Sequence, residues 1–154
     1  MNEIEKLANE NRAANFIIHN LIESDNSERA CYEQVMGLIR NHMQFTGAIQ
    51  IYSAFRLGKK VNNNVRPMLV KCANSTMVAE ILRAAPRCLK GNQLHGKTII
   101  LTDDVCKRTQ EKRKLLEPKL KELKRRGQTA HIAGTVNPVI RVKNAHGRWA
   151  VYTS

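Results

Sequence analysis

Between Asn15 and Thr102 the spacing of apolar residues switches repeatedly between the period of a strand and that of a helix. The order of those switches constrains the fold more than any other feature of the chain. Asn15 to Leu21 is apolar and β-prone. Asp25 and Glu28 have capping-box spacing, and Cys31, Val35, Leu38, Ile39 and His42 follow on one helical face. Ile49, Ile51 and Phe55 then alternate with Gln50, Tyr52 and Arg56, which predicts a half-buried strand with Tyr52 and Arg56 on its open side. A polar loop holds Gly58, Lys59, Lys60 and the asparagines 62–64. Pro67 to Ala73 is the next strand, with proline at its start, where a missing N–H costs least. Val78, Ile81, Leu82 and Ala85 mark a second helix ending near Pro86, and Lys97 to Thr102 is a fourth strand. The resulting order, β-α-β-β-α-β, predicts an α+β fold. It is a split βαβ sandwich in which two helices cover one face of a four-stranded antiparallel sheet.

Different patterns flank this stretch. Residues 1–14 read as a short helix whose Ile4, Leu7, Asn11 and Ala14 follow the seam spacing of a coiled coil. The seam is about two heptads long, short of the roughly three to four that establish a coiled coil, so a plain amphipathic lead-in helix fits equally well. Asp103 and Asp104 stand where a helical stretch begins at 105–126 and are read as its cap. Leu115, Leu116, Leu120 and Leu123 give that helix an apolar stripe; Pro118 should kink or split it, and Gly127 should stop it. Short strands are expected at Ala130–Ala133, Val139–Lys143 and Trp149–Thr153. The expected division is a coiled-coil remnant at 1–14, the sandwich at 15–103, and a small helix-plus-β domain at 104–154.

Charge is spread unevenly. Residues 1–54 carry 4 basic and 7 acidic side chains; residues 55–154 carry 22 basic and 6 acidic ones. A surplus this lopsided calls for a polyanionic partner. Nucleic acid ranks ahead of a membrane surface, because no basic stretch has the large apolar face, with Trp or Phe, of a surface-lying helix. No segment is apolar for long enough to span a bilayer, and no signal peptide follows Met1, so a cytosolic or nuclear location is expected. Cys31, Cys72, Cys88 and Cys106 lack C-x-x-C spacing and read as small hydrophobes. His19, His42, His95, His131 and His146 fall on different elements with no i,i+4 pair. No metal, cofactor or catalytic residue is expected. Gly91, Gly96, Lys97 and Thr98 satisfy G-x-x-x-x-G-K-T, which would make a P-loop NTPase the rival reading. That motif needs a strand before it and a helix after it, and here the expected order is reversed.

The basic residues cluster instead around one hairpin. Arg56, Lys59 and Lys60 lie at a strand end and its loop, with Arg66 and Lys71 on the returning strand. Few acids lie nearby to neutralise them, so phosphate contact is expected. Lys107, Arg108, Lys112, Arg113 and Lys114 add charge on the helix at 105–126. An RNA-recognition motif also stacks bases on aromatics of its two middle strands. Ile17 holds the usual aromatic position of the first signature, and the second is nearly absent from residues 66–72. Tyr52 is the one candidate for stacking, so binding by charge and shape with little sequence readout is expected.

These segments, in this order, resemble a known family. Ile4-Glu5-Lys6-Leu7 through Arg12 and the run Asn15 to Ser24 are similar to the coiled-coil exit and first strand of the RNA-binding protein encoded by the first reading frame of LINE-type (non-LTR) retrotransposons. The likeness continues through Phe55–Lys60, Arg66–Lys71, Ile81–Ala85, Leu101–Asp104 and Glu111–Lys114. The resemblance implies an RNA-recognition-like domain, a C-terminal domain and a non-enzymatic RNA-coating and chaperone function. It implies a ribonucleoprotein in the cytoplasm or nucleus. Single-stranded RNA is the expected partner, with single-stranded DNA second, and a homotrimer is expected only where a longer coiled coil is present. By position, Arg56, Lys59, Lys60, Arg66, Lys71 and Arg113 match basic positions that would face RNA. The C-terminal part also resembles baculoviral few-polyhedra proteins, which would imply a structural or assembly role.

Overall fold

Helix α1 (Asn2–Glu10) is followed by strand β1 (Asn15–His19), helix α2 (Glu28–Gly37) and a single π-turn at Leu38–His42. Strands β2 (Ile51–Arg56) and β3 (Met68–Cys72) lead into helix α3 (Ser75–Leu89). Then come β4 (Gln93–Leu94), β5 (Lys97–Thr98), β6 (Ile100–Asp103), helix α4 (Lys107–Arg125), and strands β7 (Ala130–Ala133), β8 (Val139–Lys143) and β9 (Trp149–Val151). This computed structural model describes residues 2–90, 93–94 and 96–153. They form two units: residues 12–104, and residues 2–11 together with 105–153.

The first unit is built on a four-stranded antiparallel sheet in the order β2-β3-β1-β6. Strand β1 is central, and its alternation is clean: Phe16 and Ile18 are fully buried while Asn15, Ile17 and His19 are half-buried. Phe16 and Ile18 meet Met68, Val70 and Ala54 from the sheet, Cys31, Val35, Leu38 and Ile39 from the α2 segment, and Val78, Ile81, Ala85 and Leu89 from α3. One face of the sheet therefore carries the core.

Local chemistry moves several expected boundaries. The cap of α2 is Ser27, whose hydroxyl accepts from the Ala30 N–H, rather than the expected pair Asp25 and Glu28; Asp25 accepts from the Ser27 N–H one step earlier. The π-turn, closed by Met43 N–H on Leu38 C=O at 2.9 Å, adds one residue to the turn. It rotates Met43 into the core and leaves the expected core residue His42 exposed. Helix α3 runs through Pro86 to Leu89, because Ala85 and Leu89 bury on either side of it. The expected fourth strand is two: β5 pairs with β4 as a small hairpin, and β6 joins the sheet beside β1.

In the second unit, Leu116, Leu120 and Leu123 of α4 pack on Ala130, Ile132, Ile140 and Val142 of a three-stranded antiparallel sheet ordered β7-β8-β9, and on Tyr152 just after β9. Leu115, expected in that stripe, lies off the packed face and is 81% exposed. Helix α4 remains one element through Pro118, with apolar packing on both sides of the missing hydrogen bond. Gly127 ends it in the left-handed conformation (φ 83°), its N–H on Lys124 C=O. The expected seam of α1 is not its packed face: Ile4 and Leu7 are exposed, whereas Glu5 and Asn9 are buried against the start of α4. Asn9 Oδ1 accepts from the Cys106 N–H at 2.9 Å, so a residue of α1 satisfies the N-terminus of α4. Asp103 and Asp104 do not cap it. Asp103 belongs to β6, and the buried Asp104 carboxylate accepts from Asn15 Nδ2 at 3.0 Å and pairs with Arg12 at 3.6 Å.

Candidate nucleic-acid interface

Strand β2 lies at the sheet edge and carries an irregularity that decides which side chains face out. Ile51 pairs with Cys72 and Ser53 with Lys71, so Tyr52 is an extra residue in β2 with no partner across the ladder. Beyond this bulge the phase is inverted relative to simple alternation. Ala54 and Arg56 turn into the core, and Phe55 turns onto the helix-free face opposite Leu69, 39% exposed. Ile17 and Thr102 continue that row across β1 and β6. A cue stood in the sequence: strict alternation would put the polar Ser53 on the core side.

Arg56 is therefore not on the open face. Its guanidinium donates to Leu21 C=O at 2.7 Å, Arg66 C=O at 2.8 Å, Ile22 C=O at 3.0 Å and Gln34 Oε1 at 3.4 Å. Burial pushes its pKa down, while the Glu23 carboxylate pulls the other way. Its Nε is a buried nitrogen without a partner. The group ties the chain after β1 to the β2–β3 hairpin, and it has no free fork for a phosphate.

Arg66 is similarly engaged. Its Nη2 and Nε lie 2.7 and 3.0 Å from Glu23 Oε1, its backbone N–H reaches Glu23 Oε2 at 3.2 Å, and Nη1 donates to Gly58 C=O at 3.0 Å. Those hydrogen bonds from Arg66, working against desolvation, hold the Glu23 carboxyl near pKa 2 rather than 4.5. The stabilisation is complete above the ordinary carboxyl value and is lost as pH falls through the depressed one. Thermal unfolding should accordingly show a drop in melting temperature between about pH 4.5 and about pH 2, and Glu23→Gln should flatten that limb. A limb identical in the variant would show that other carboxylates control acid unfolding.

The remaining basic residues of the hairpin are available. Lys59 and Lys60 are exposed in the loop after β2. Lys71 is exposed on the open face, its Nζ 5.8 Å from the centre of the Phe55 ring. Tyr52, 67% exposed, lines an edge groove between β2 and α2 with Arg29 and Tyr32. Phe55 was missed in the sequence because the bulge puts it on the same side as Lys71, where alternation would have put Arg56.

Arg113 belongs to the second unit, where its Nη2 and Nε donate to Gly134 C=O at 2.9 and 3.2 Å. Nearby, the buried Glu5 carboxylate accepts from Lys112 at 2.7 Å and Thr109 at 2.8 Å, with Arg108 at 3.6 Å. The Lys112 hydrogen bond is the largest influence lowering the Glu5 pKa. Part of the basic start of α4 thus neutralises α1.

Of the P-loop-like motif, Gly91 lies outside the described residues, as does His95. Lys97 and Thr98 form β5, and β6 follows, so the motif runs into strands rather than the helix N-terminus on which a P-loop rests its phosphates. Among the described residues no group of three or more His, Cys, Asp or Glu could hold a metal, and no helix is long and apolar enough to cross a membrane. No family model matches the sequence, and no curated protein matches it.

Proposed function

We propose that the chain is a non-catalytic, largely sequence-independent single-stranded RNA-binding protein of the retrotransposon first-reading-frame kind, working as an RNA-coating and chaperone protein. The strand order β2-β3-β1-β6, with two helices on one face, is the order of an RNA-recognition motif, and this supports the reading. The observation that carries it is the open-face pair Phe55 and Lys71 beside the exposed Lys59 and Lys60: an aromatic for a base, with cations for its phosphates. The middle strands hold Ile17 and Leu69 where such motifs usually stack bases, so the stacking position moves outward to β2. Weak sequence preference follows, because base stacking and phosphate contact read no base edge.

Salt dependence tests the reading. Binding of a labelled single-stranded RNA, measured by anisotropy at several salt concentrations, should give a linear fall of log K with log salt. Lys59→Ala with Lys60→Ala should flatten the slope by about 1.4 units, about 0.7 for each phosphate no longer neutralised, and weaken all sequences alike. Wild-type affinity and slope in that variant would make the loop a solvated face.

A further inference from the structure

The β7-β8-β9 sheet has two faces of different chemistry. Toward α4 it turns Ala130, Ile132, Ile140 and Val142. The opposite face exposes His131, Arg141, Lys143 and Trp149. Register sets His131 opposite Arg141 and Lys143 opposite Trp149. The His131 and Trp149 rings reach across β8 and meet edge to face, with centroids 4.5 Å apart at 78°. Trp149 nevertheless remains 40% exposed. From Leu123 to the end the chain contains no Asp or Glu, so nothing in β7, β8 or β9 neutralises Arg141 and Lys143.

An exposed indole flanked by uncompensated cations suits one kind of ligand. A nucleobase stacks on tryptophan irrespective of its identity, and the adjoining phosphates take the cations. The ring contact with His131 holds the indole in place beforehand, so less side-chain freedom is lost on binding. We propose that the outer face of β7-β8-β9 is a second contact for single-stranded RNA, with a base stacked on Trp149 and flanking phosphates met by Arg141 and Lys143. The inference rests on the proposed RNA-binding function and extends it to a surface in the second unit.

Trp149 is the only tryptophan, so its emission reports on this face alone. Titrating the full chain with oligouridine should quench the emission, while heparin, a polyanion without bases, should bind and leave it unquenched. Trp149→Ala should weaken binding of labelled oligouridine, followed by anisotropy, about tenfold, and Trp149→Phe should recover most of the loss. Arg141→Ala with Lys143→Ala should require several times more oligouridine for the same quenching. Oligouridine binding by anisotropy without any change in tryptophan emission would overturn this inference and leave the first-unit site standing. Quenching by heparin equal to that by oligouridine would also overturn it. So would an emission shift on phosphatidylserine vesicles with none on oligouridine, which would assign the face to a lipid surface. No binding of oligouridine by either measure would overturn both readings.

Discussion

Replacing Arg56 with alanine should destabilise the first unit by about 3–5 kcal/mol, an effect on folding before any effect on RNA. The guanidinium serves three backbone carbonyls, those of Leu21, Ile22 and Arg66, and the side chain of Gln34 from a buried position. Alanine would leave the Leu21 and Arg66 carbonyls without the donor they have, while Ile22 C=O keeps Gln34 Nε2 at 2.9 Å, and each buried, unpaired acceptor costs about 1–3 kcal/mol. A loss of that size is a large fraction of the roughly 5–15 kcal/mol that holds a domain folded. Urea unfolding followed by circular dichroism should show a midpoint lower by about 2 M, for an m-value of about 2 kcal/mol/M. Trp149 lies in the second unit, so its fluorescence follows that unit's unfolding. Arg56→Lys should recover only part of the loss, because a single ammonium cannot reproduce the planar fork. An unchanged midpoint together with a large loss of RNA affinity would return Arg56 to the interface.

The order of elements was legible because the core faces of β1, β3 and α3 each keep one period from end to end. Phe16, Ile18, Met68, Val70, Val78 and Ile81 all bury as their spacing requires. The strands of the second unit were legible for the same reason, with Ala130, Ile140 and Val142 turned toward α4. What the sequence hid was of two kinds. One was a local break of period: the extra residue at Tyr52 and the π-turn at Leu38–His42 each shift the face by one residue, exchanging Phe55 for Arg56 and Met43 for His42. The other was polar pairing between residues far apart in the chain. Glu5 and Asp104 carry charges that a local reading assigns to solvent or to a helix cap. Partners such as Lys112 and Thr109 for Glu5, and Arg12 and Asn15 for Asp104, draw them inside. The hairpin's five basic residues divide along the same line. Arg56 and Arg66 are spent on the fold, and Lys59, Lys60 and Lys71 remain for a ligand.

Phe55→Ala and Tyr52→Ala should then separate stacking from charge. A base stacked on an aromatic side chain contributes about 1–3 kcal/mol, so each variant should weaken single-stranded RNA about five- to 150-fold. Neither removes a charge, so the salt slope should stay at its wild-type value, unlike that of the loop-lysine variant. Phe55 faces the helix-free side and Tyr52 is the unpaired residue of the bulge, so both truncations should leave the unfolding midpoint nearly unchanged. Lys71→Ala combines the two signatures. It removes a phosphate cation, and with it the ammonium 5.8 Å from the Phe55 ring, so both affinity and slope should fall. Phe55→Leu keeps an apolar side chain on the face without an aromatic ring and should bind nearly as weakly as Phe55→Ala. If instead Phe55→Leu binds like wild type, Phe55 acts only as an apolar spacer beside Leu69, and the strand is held by its phosphates alone.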